Sequence, residues 1–160
     1  MLRALVLALA LVSLIGCTVN QPTITQSHAL SRVEQLIRET AAALQPQPRL
    51  ELLPSSVAPN TCLAKEGSEK QVVIHRAYWL RDVPQSANMS IAHQVRARWV
   101  EQGHVITAIG GFQAGAPTIH GESMPDGYLL GLIWAEGDDL YLAATSPCVW
   151  PDGTPAPADR

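Results

Sequence analysis

The stretch "HGESMPD", residues 120–126, gathers the residue types that nucleophilic hydrolysis needs. His120, Glu122, Ser123 and Asp126 stand within it. A serine nucleophile requires a histidine base and an acid in one spatial array, and neighbours in sequence do not by themselves form that array. The GxSxG motif is absent, and the Pro-Asp-Gly that ends the stretch is typical of a turn. Two interpretations therefore stay open, a hydrolase site and a turn that links two strands.

The histidines show no metal-binding pattern. Five occur, and neither HExxH nor HxxxH spacing is present. The phosphate-binding motifs GxxxxGK[ST] and GxGxxG are also absent. His75 alternates with Ala77 and Trp79, which favours a hydrogen-bonded structural histidine on a strand. We predict no catalytic set, no metal site and no cofactor.

The start of the chain has the pattern of an export signal. Arg3 is followed by apolar residues 4–12, and Ser13 leads on to the small Gly16. The apolar stretch is about 12 residues long, whereas a membrane-spanning helix needs roughly 20. The pattern therefore predicts a secretory signal rather than a transmembrane helix.

Leu14-Ile15-Gly16-Cys17 resembles the lipobox of bacterial lipoproteins. The resemblance implies cleavage before Cys17 and a diacylglycerol on its thiol, so that the lipid bilayer is a partner through acylated Cys17. Two acyl chains anchor a protein stably where one binds only marginally. Thr18 stands where an Asp would imply retention at the inner membrane, so the anchor would lie in the outer membrane of a Gram-negative cell. An ordinary cleaved signal with a chance cysteine is the alternative.

Composition excludes other classes of partner. The chain has 11 basic and 14 acidic residues and a formal net charge of −3; loss of Arg3 with the signal would bring the charge to about −4. Nucleic-acid binders normally carry a basic stripe, so we predict no nucleic-acid partner. The roughly 144 residues that remain after cleavage suit one domain.

Cys62 and Cys148 are the two cysteines left once Cys17 carries lipid. A pair of cysteines in an exported protein favours a disulfide. The alternatives are two free thiols or a metal site, and isolated cysteines without a CxxC or a nearby His pair make a poor zinc site. Since Cys62 precedes the first predicted strand of the domain and Cys148 follows the last, we expect those two strands to lie close together.

The spacing of apolar residues predicts the helices and strands. Helical spacing of apolar residues predicts helices near 27–45 and 88–102. Strand patterns occur near 71–82, in "HVITAIGGF", in "APTIHGES" and in the hairpin "DGYLLGLIWAEGDDLYLAAT". The predicted fold is α+β, a two-layer sandwich with an antiparallel sheet of four to five strands, helices on one face and one disulfide.

The predicted organisation has five segments. They are a signal peptide (1–16), a lipidated tether (17–26), an N-terminal helix with a Pro-rich connection (27–61), the α+β domain (62–150) and a flexible tail (151–160).

Trp150 and Tyr128 are the candidate partner contacts, because exposed aromatic residues are favoured at binding hot spots. The alternative for Trp150 is a side chain that covers the disulfide. The run "YWL…W…G…DGY…L…SPCVWP" is similar to small, mostly uncharacterised envelope lipoproteins of actinobacteria, which implies the outer face of the cytoplasmic membrane.

These patterns indicate a membrane-anchored, extracytoplasmic lipoprotein that acts as a binding or accessory module in the cell envelope and not as an enzyme. Its partner would be an envelope protein or a small apolar ligand. The alternative is an envelope hydrolase that uses the His, Ser and Asp groups near residues 120–126.

Overall fold

The computed structural model describes residues 24–63, 70–135, 137 and 139–153. Cys17, the predicted signal peptide and most of the predicted tether and tail lie outside these residues. Within the described ranges, no helix is both long enough and apolar enough to cross a bilayer.

The described residues form two α-helices and eight strands. The helices are α1 (Gln26–Ala42) and α2 (Asn88–Glu101). The strands are β1 (Arg49–Leu52), β2 (Asn60–Thr61), β3 (Val72–Val73), β4 (His75–Arg81), β5 (Val105–Gly110), β6 (Thr118–Glu122), β7 (Leu129–Ala135) and β8 (Asp139–Thr145).

Six strands form one antiparallel sheet in the order β1-β4-β8-β7-β6-β5, and β2 pairs with β3 in a small separate sheet. Both helices pack on the same face of the large sheet, because its buried residues share one core cluster with theirs. The predicted α+β architecture is confirmed.

The predicted count of four to five strands is too low by the edge strand β1. Prolines on both sides, Pro48 and Pro54, made this stretch look irregular in sequence. Edge strands tolerate flanking prolines, since one side of their backbone needs no ladder partner. β1 pairs antiparallel with β4, with Leu50 opposite Leu80.

The N-terminal helix belongs to the same core as the rest of the domain. Val33, Leu36 and Ile37 of α1 are at most 3% exposed and lie in the cluster that holds Leu132 and Leu142 of the sheet. The sequence had placed the start of the compact domain at Cys62, but the packing shows no structural break there. α1 supplies half of the helical layer, so the sheet would lose its cover without it.

The first and last long strands are neighbours, as the cysteine positions predicted. β4 pairs antiparallel with β8, with His75 opposite Thr145. Cys62 and Cys148 form a disulfide with their Cα atoms 5.7 Å apart, which confirms the predicted bond.

Trp99 fixes α2 against both α1 and the sheet. Its side chain is 1% exposed, and its Nε1–H donates to Thr40 Oγ1 at 2.9 Å. The Thr40 hydroxyl in turn donates to the Leu36 carbonyl at 2.8 Å. On the sheet side, a Cβ at Gly121 would lie 3.0 Å from the Val105 carbonyl and 3.3 Å from the indole. The indole therefore needs a glycine beneath it.

Replacing Trp99 with Ala should therefore destabilise the whole fold. Truncation of a buried tryptophan typically lowers the free energy of unfolding by about 3–5 kcal/mol. The neighbouring Val100→Ala is the matched control, because Val100 is 58% exposed and surface changes usually stay within about 0.5 kcal/mol. Urea denaturation of both variants measures the difference, and equal midpoints would contradict the role assigned to Trp99.

Candidate functional site

The structure separates the chemistry-bearing residues of the 120–126 stretch. His120 lies on β6 and is exposed, while its neighbours Ile119 and Gly121 are buried against the helices. Successive side chains of a strand point to opposite faces, so His120 lies on the face away from the helices. Ser123 and Asp126 belong to the loop between β6 and β7. No hydrogen bond joins His120 to Ser123 among the described residues.

The Ser123 hydroxyl is used to shape that loop. Ser123 is 0% exposed, and its Oγ donates to Asp126 Oδ1 at 2.5 Å. The same Oγ accepts from the Tyr128 amide at 3.0 Å, and the Ser123 amide donates to the Tyr128 carbonyl at 2.8 Å. A triad needs a histidine between the acid and the serine, whereas here the acid binds the serine directly. The geometry supports the turn.

Asp126 also joins the loop to α1. Arg32 Nε lies 2.6 Å from Asp126 Oδ2, and the two side chains are 24% and 31% exposed. Burial acts to raise the pKa of the Asp126 carboxyl, but the hydrogen bonds from Ser123 and Arg32 outweigh it, so this pKa lies below its usual value. A groove of about 500 Å³ borders this pair. Its two opposite charges are already bound to each other, which leaves little net charge for a ligand.

His104 is a member of this group that sequence reasoning missed. Its Nδ1 accepts a hydrogen bond from the Met124 amide at 3.3 Å. Desolvation and the nearby Arg32 hold the pKa of His104 below its usual value. The contact is local support for the loop, and no motif in the sequence links residues 104 and 124.

The two predicted aromatic contacts are both buried. Trp150 is 8% exposed and Tyr128 is 2% exposed. Their burial argues against exposed anchors and, for Trp150, is consistent with the alternative of a side chain packed within the domain. Tyr128 belongs to the main core cluster.

The sheet face away from the helices is here called the open face. Strand alternation places Tyr141, Ala143 and Thr145 of β8 on it, while Leu140 and Leu142 face the core. Ile133, Gly131 and Leu129 of β7 lie beside them in register. Leu129 is 56% exposed, so apolar surface is accessible there.

A shallow trough of about 250 Å³ crosses the open face. Small residues, Gly131 and Ala143, form its floor. Side chains on the neighbouring rows form its walls, and a histidine stands at each end; these lining residues are Tyr141, Ile133, Leu129, Thr145, His75 and His120. The lining is largely apolar, and the trough holds no acidic or basic side chain other than the histidines.

An aromatic pair and an ion pair border the trough. The Trp79 and Tyr141 rings meet edge to face with centroids 5.4 Å apart. The Arg81 guanidinium lies 4.9 Å from the Trp79 ring centroid and binds Asp139 at 2.6 Å. The open face therefore has an apolar middle and a polar margin.

His75 has a structural partner, in line with the sequence interpretation. Its Nδ1 lies 2.8 Å from Thr145 Oγ1 across the β4–β8 pair. Burial, with the nearby Arg76 charge, lowers the pKa of His75 below its usual value. No group of three or more His, Cys, Asp or Glu residues in the described part of the chain is arranged to hold a metal ion.

No family model, no curated protein and no solved structure matches this chain.

Asp126→Asn should destabilise the protein in a pH-dependent way. Because the folded-state pKa of Asp126 is lowered, its stabilising contribution is present above the unfolded pKa and is lost as pH falls through the folded value. The variant should unfold more easily than the wild type at pH 7, and the two should converge at an acidic pH below the usual titration range of an aspartate.

Denaturant titrations at both pH values measure the effect. Glu101→Gln is the control, since the Glu101 side chain is 72% exposed and surface ion pairs contribute little. A difference between wild type and Asp126→Asn that does not depend on pH would contradict the role of the carboxylate.

Proposed function

We propose that this protein is a lipid-anchored, extracytoplasmic binding module of the cell envelope, and that the open face is its interaction surface. The observation that carries the proposal is the asymmetry of the sheet. Helices bury one face, while the other presents an apolar trough with no described element over it. Contiguous exposed apolar surface in a folded domain marks interaction sites.

The lipobox resemblance supports the anchored part of the proposal. Six residues separate Cys17 from Ile24, the first described residue, which makes seven steps along the chain. An extended chain spans about 3.3–3.6 Å per residue, so this segment reaches at most about 25 Å. An acylated Cys17 would hold the domain close to the bilayer while leaving room for a partner beside it.

The absence of reactive geometry at the other candidate site favours binding over hydrolysis. Ser123 is buried with its hydroxyl engaged by Asp126, and His120 faces the trough instead of the serine. A hydrolase function for residues 120–126 would need the loop to rearrange. It stays the alternative, and no described contact favours it.

Cys17→Ala should move the protein from the membrane fraction to the soluble fraction. The thiol is the attachment point that the lipobox resemblance implies, and two acyl chains give stable anchoring. Fractionation of cells with metabolic labelling by a palmitate analogue measures both location and acylation. Labelled, membrane-bound Cys17→Ala protein would contradict the anchor.

The interaction surface can be tested by site-specific photo-crosslinking in intact cells. A photoreactive phenylalanine analogue in place of Tyr141 lies on the wall of the trough, and the same analogue in place of Arg96 lies on the exposed side of α2. We expect a reproducible adduct at position 141 and none at position 96, because only the first surface is apolar and uncovered. Equal labelling at both positions, or labelling at position 96 alone, would contradict the assignment of the open face.

A further inference from the structure

Side chains on the open face form parallel rows that run across the strands. The apolar part of one row, here called the ridge, is formed by Trp79, Tyr141 and Ile133, which stand side by side on β4, β8 and β7. Glu51 of β1 ends this row beside Trp79. The next row along the strands contains the trough floor, Ala143 and Gly131. Residues two apart on a strand are separated by about 6.5 Å. The ridge, a raised apolar row, therefore runs parallel to the trough and directly beside it.

This arrangement is complementary to itself, and we propose that the occupant of the open face is a second copy of this chain. The two copies pack face to face about a two-fold axis that runs along the rows, between ridge and trough. The inference rests on the proposed function only in taking the open face as the interaction surface.

The two-fold rotation follows from the relief. A two-fold axis parallel to the rows leaves the position of each residue along its row unchanged. It exchanges the ridge side of the axis with the trough side. It thereby sets the ridge of each copy over the trough of the other, with Tyr141 above Ala143 of the second copy. A two-fold interface is isologous, so one self-complementary patch is sufficient to close the dimer. The hollow for Tyr141 of the second copy lies over Ala143, since the Ile133 side chain leans towards Gly131.

The margins also match under this rotation. The Arg81–Asp139 ion pair lies one row beyond the ridge, and His75 with Thr145 lies one row beyond the trough. The axis brings the first pair over the second pair of the other copy. On β4 and β8, polar groups then meet polar groups beside an apolar centre, which is the usual anatomy of a protein interface. On β7, Leu129 meets Ala135 of the second copy.

The size of the face suits a weak or moderate dimer. Six strands spaced about 4.8 Å apart and strands of up to about 20 Å give roughly 600 Å² for each copy. Two copies would bury about 1,200 Å², at the lower end of the range for specific interfaces. The expected assembly is a four-layer dimer, with the sheets inside and the helices outside, that dissociates on dilution.

The first test is sedimentation of the unacylated full chain, obtained with Cys17→Ala, over a range of concentrations. We expect a monomer–dimer equilibrium. Adding Ala143→Arg places a charge on the trough floor, and it should raise the dissociation constant at least roughly tenfold. Ala97→Arg, on an exposed part of α2, should leave the dissociation constant within about twofold of the parent.

A second test works in the membrane with acylated protein. Tyr141→Cys combined with Ala143→Cys should give an intermolecular disulfide under mild oxidation, because the axis brings these positions together. Arg96→Cys combined with Val100→Cys should stay monomeric. This test remains valid if Ala143→Arg fails to fold.

A chain that is monomeric at every concentration, or dimerises equally well with Ala143→Arg, would overturn the second copy as occupant. An adduct of another protein or a lipid at position 141, with a monomeric chain, would keep the binding module and reject the dimer. If the wild-type protein dimerises but is not anchored to the membrane through Cys17, the dimer would be kept and the anchored part of the proposed function would be rejected.

Discussion

The antiparallel pairing of β4 with β8 is the constraint on which the rest of the structure depends. β4 follows α1 and β1, whereas β8 ends the meander that begins at β5. Their ladder, from His75 opposite Thr145 to Trp79 opposite Tyr141, joins these two parts of the chain into one sheet. One side of the ladder holds Tyr78 and Leu142 in the helical core, and the other side forms the ridge and one end of the trough. The register of β4 with β8 therefore sets both the packing of the core and the arrangement of residues on the open face.

Local patterns were sufficient to predict most of the fold. α2 and the β7–β8 hairpin carry their own periodicity, and the paired cysteines indicated which strands meet. β1 lies in the segment that the sequence predicted as a Pro-rich connection, because its stability comes from a partner about 30 positions away, which no local pattern records. The N-terminal helix was separated from the domain for a similar reason. Its apolar stripe was recognised, but the surface that it covers is assembled from strands that follow it in sequence.

The candidate site was harder to predict, since sequence neighbours point in different directions. His120 and Ser123 stand three positions apart, yet the pleat of β6 and the loop after it direct one to the open face and the other into a buried turn. The trough depends on Gly131 lying beside Ala143, a coincidence of register between two strands. The available signal was Gly131 itself, because a glycine within a strand of large apolar residues marks a close approach or a gap. Aromatic type alone did not distinguish a surface contact from a buried side chain at Trp150 and Tyr128, and both are buried.

The strand order also has a consequence for the growing chain. β4 is made early, and its inner neighbour β8 is the last strand in the described part of the sequence, some 60 to 70 residues later. Until β8 has been synthesised, β4 has β1 on one side and an unsatisfied edge on the other, while β5, β6 and β7 can pair locally. Long-range strand pairing is intrinsically slow, and unpaired edges of partly folded chains promote aggregation. The nascent protein therefore has a vulnerable period that ends only when its final strand is inserted into the middle of the sheet.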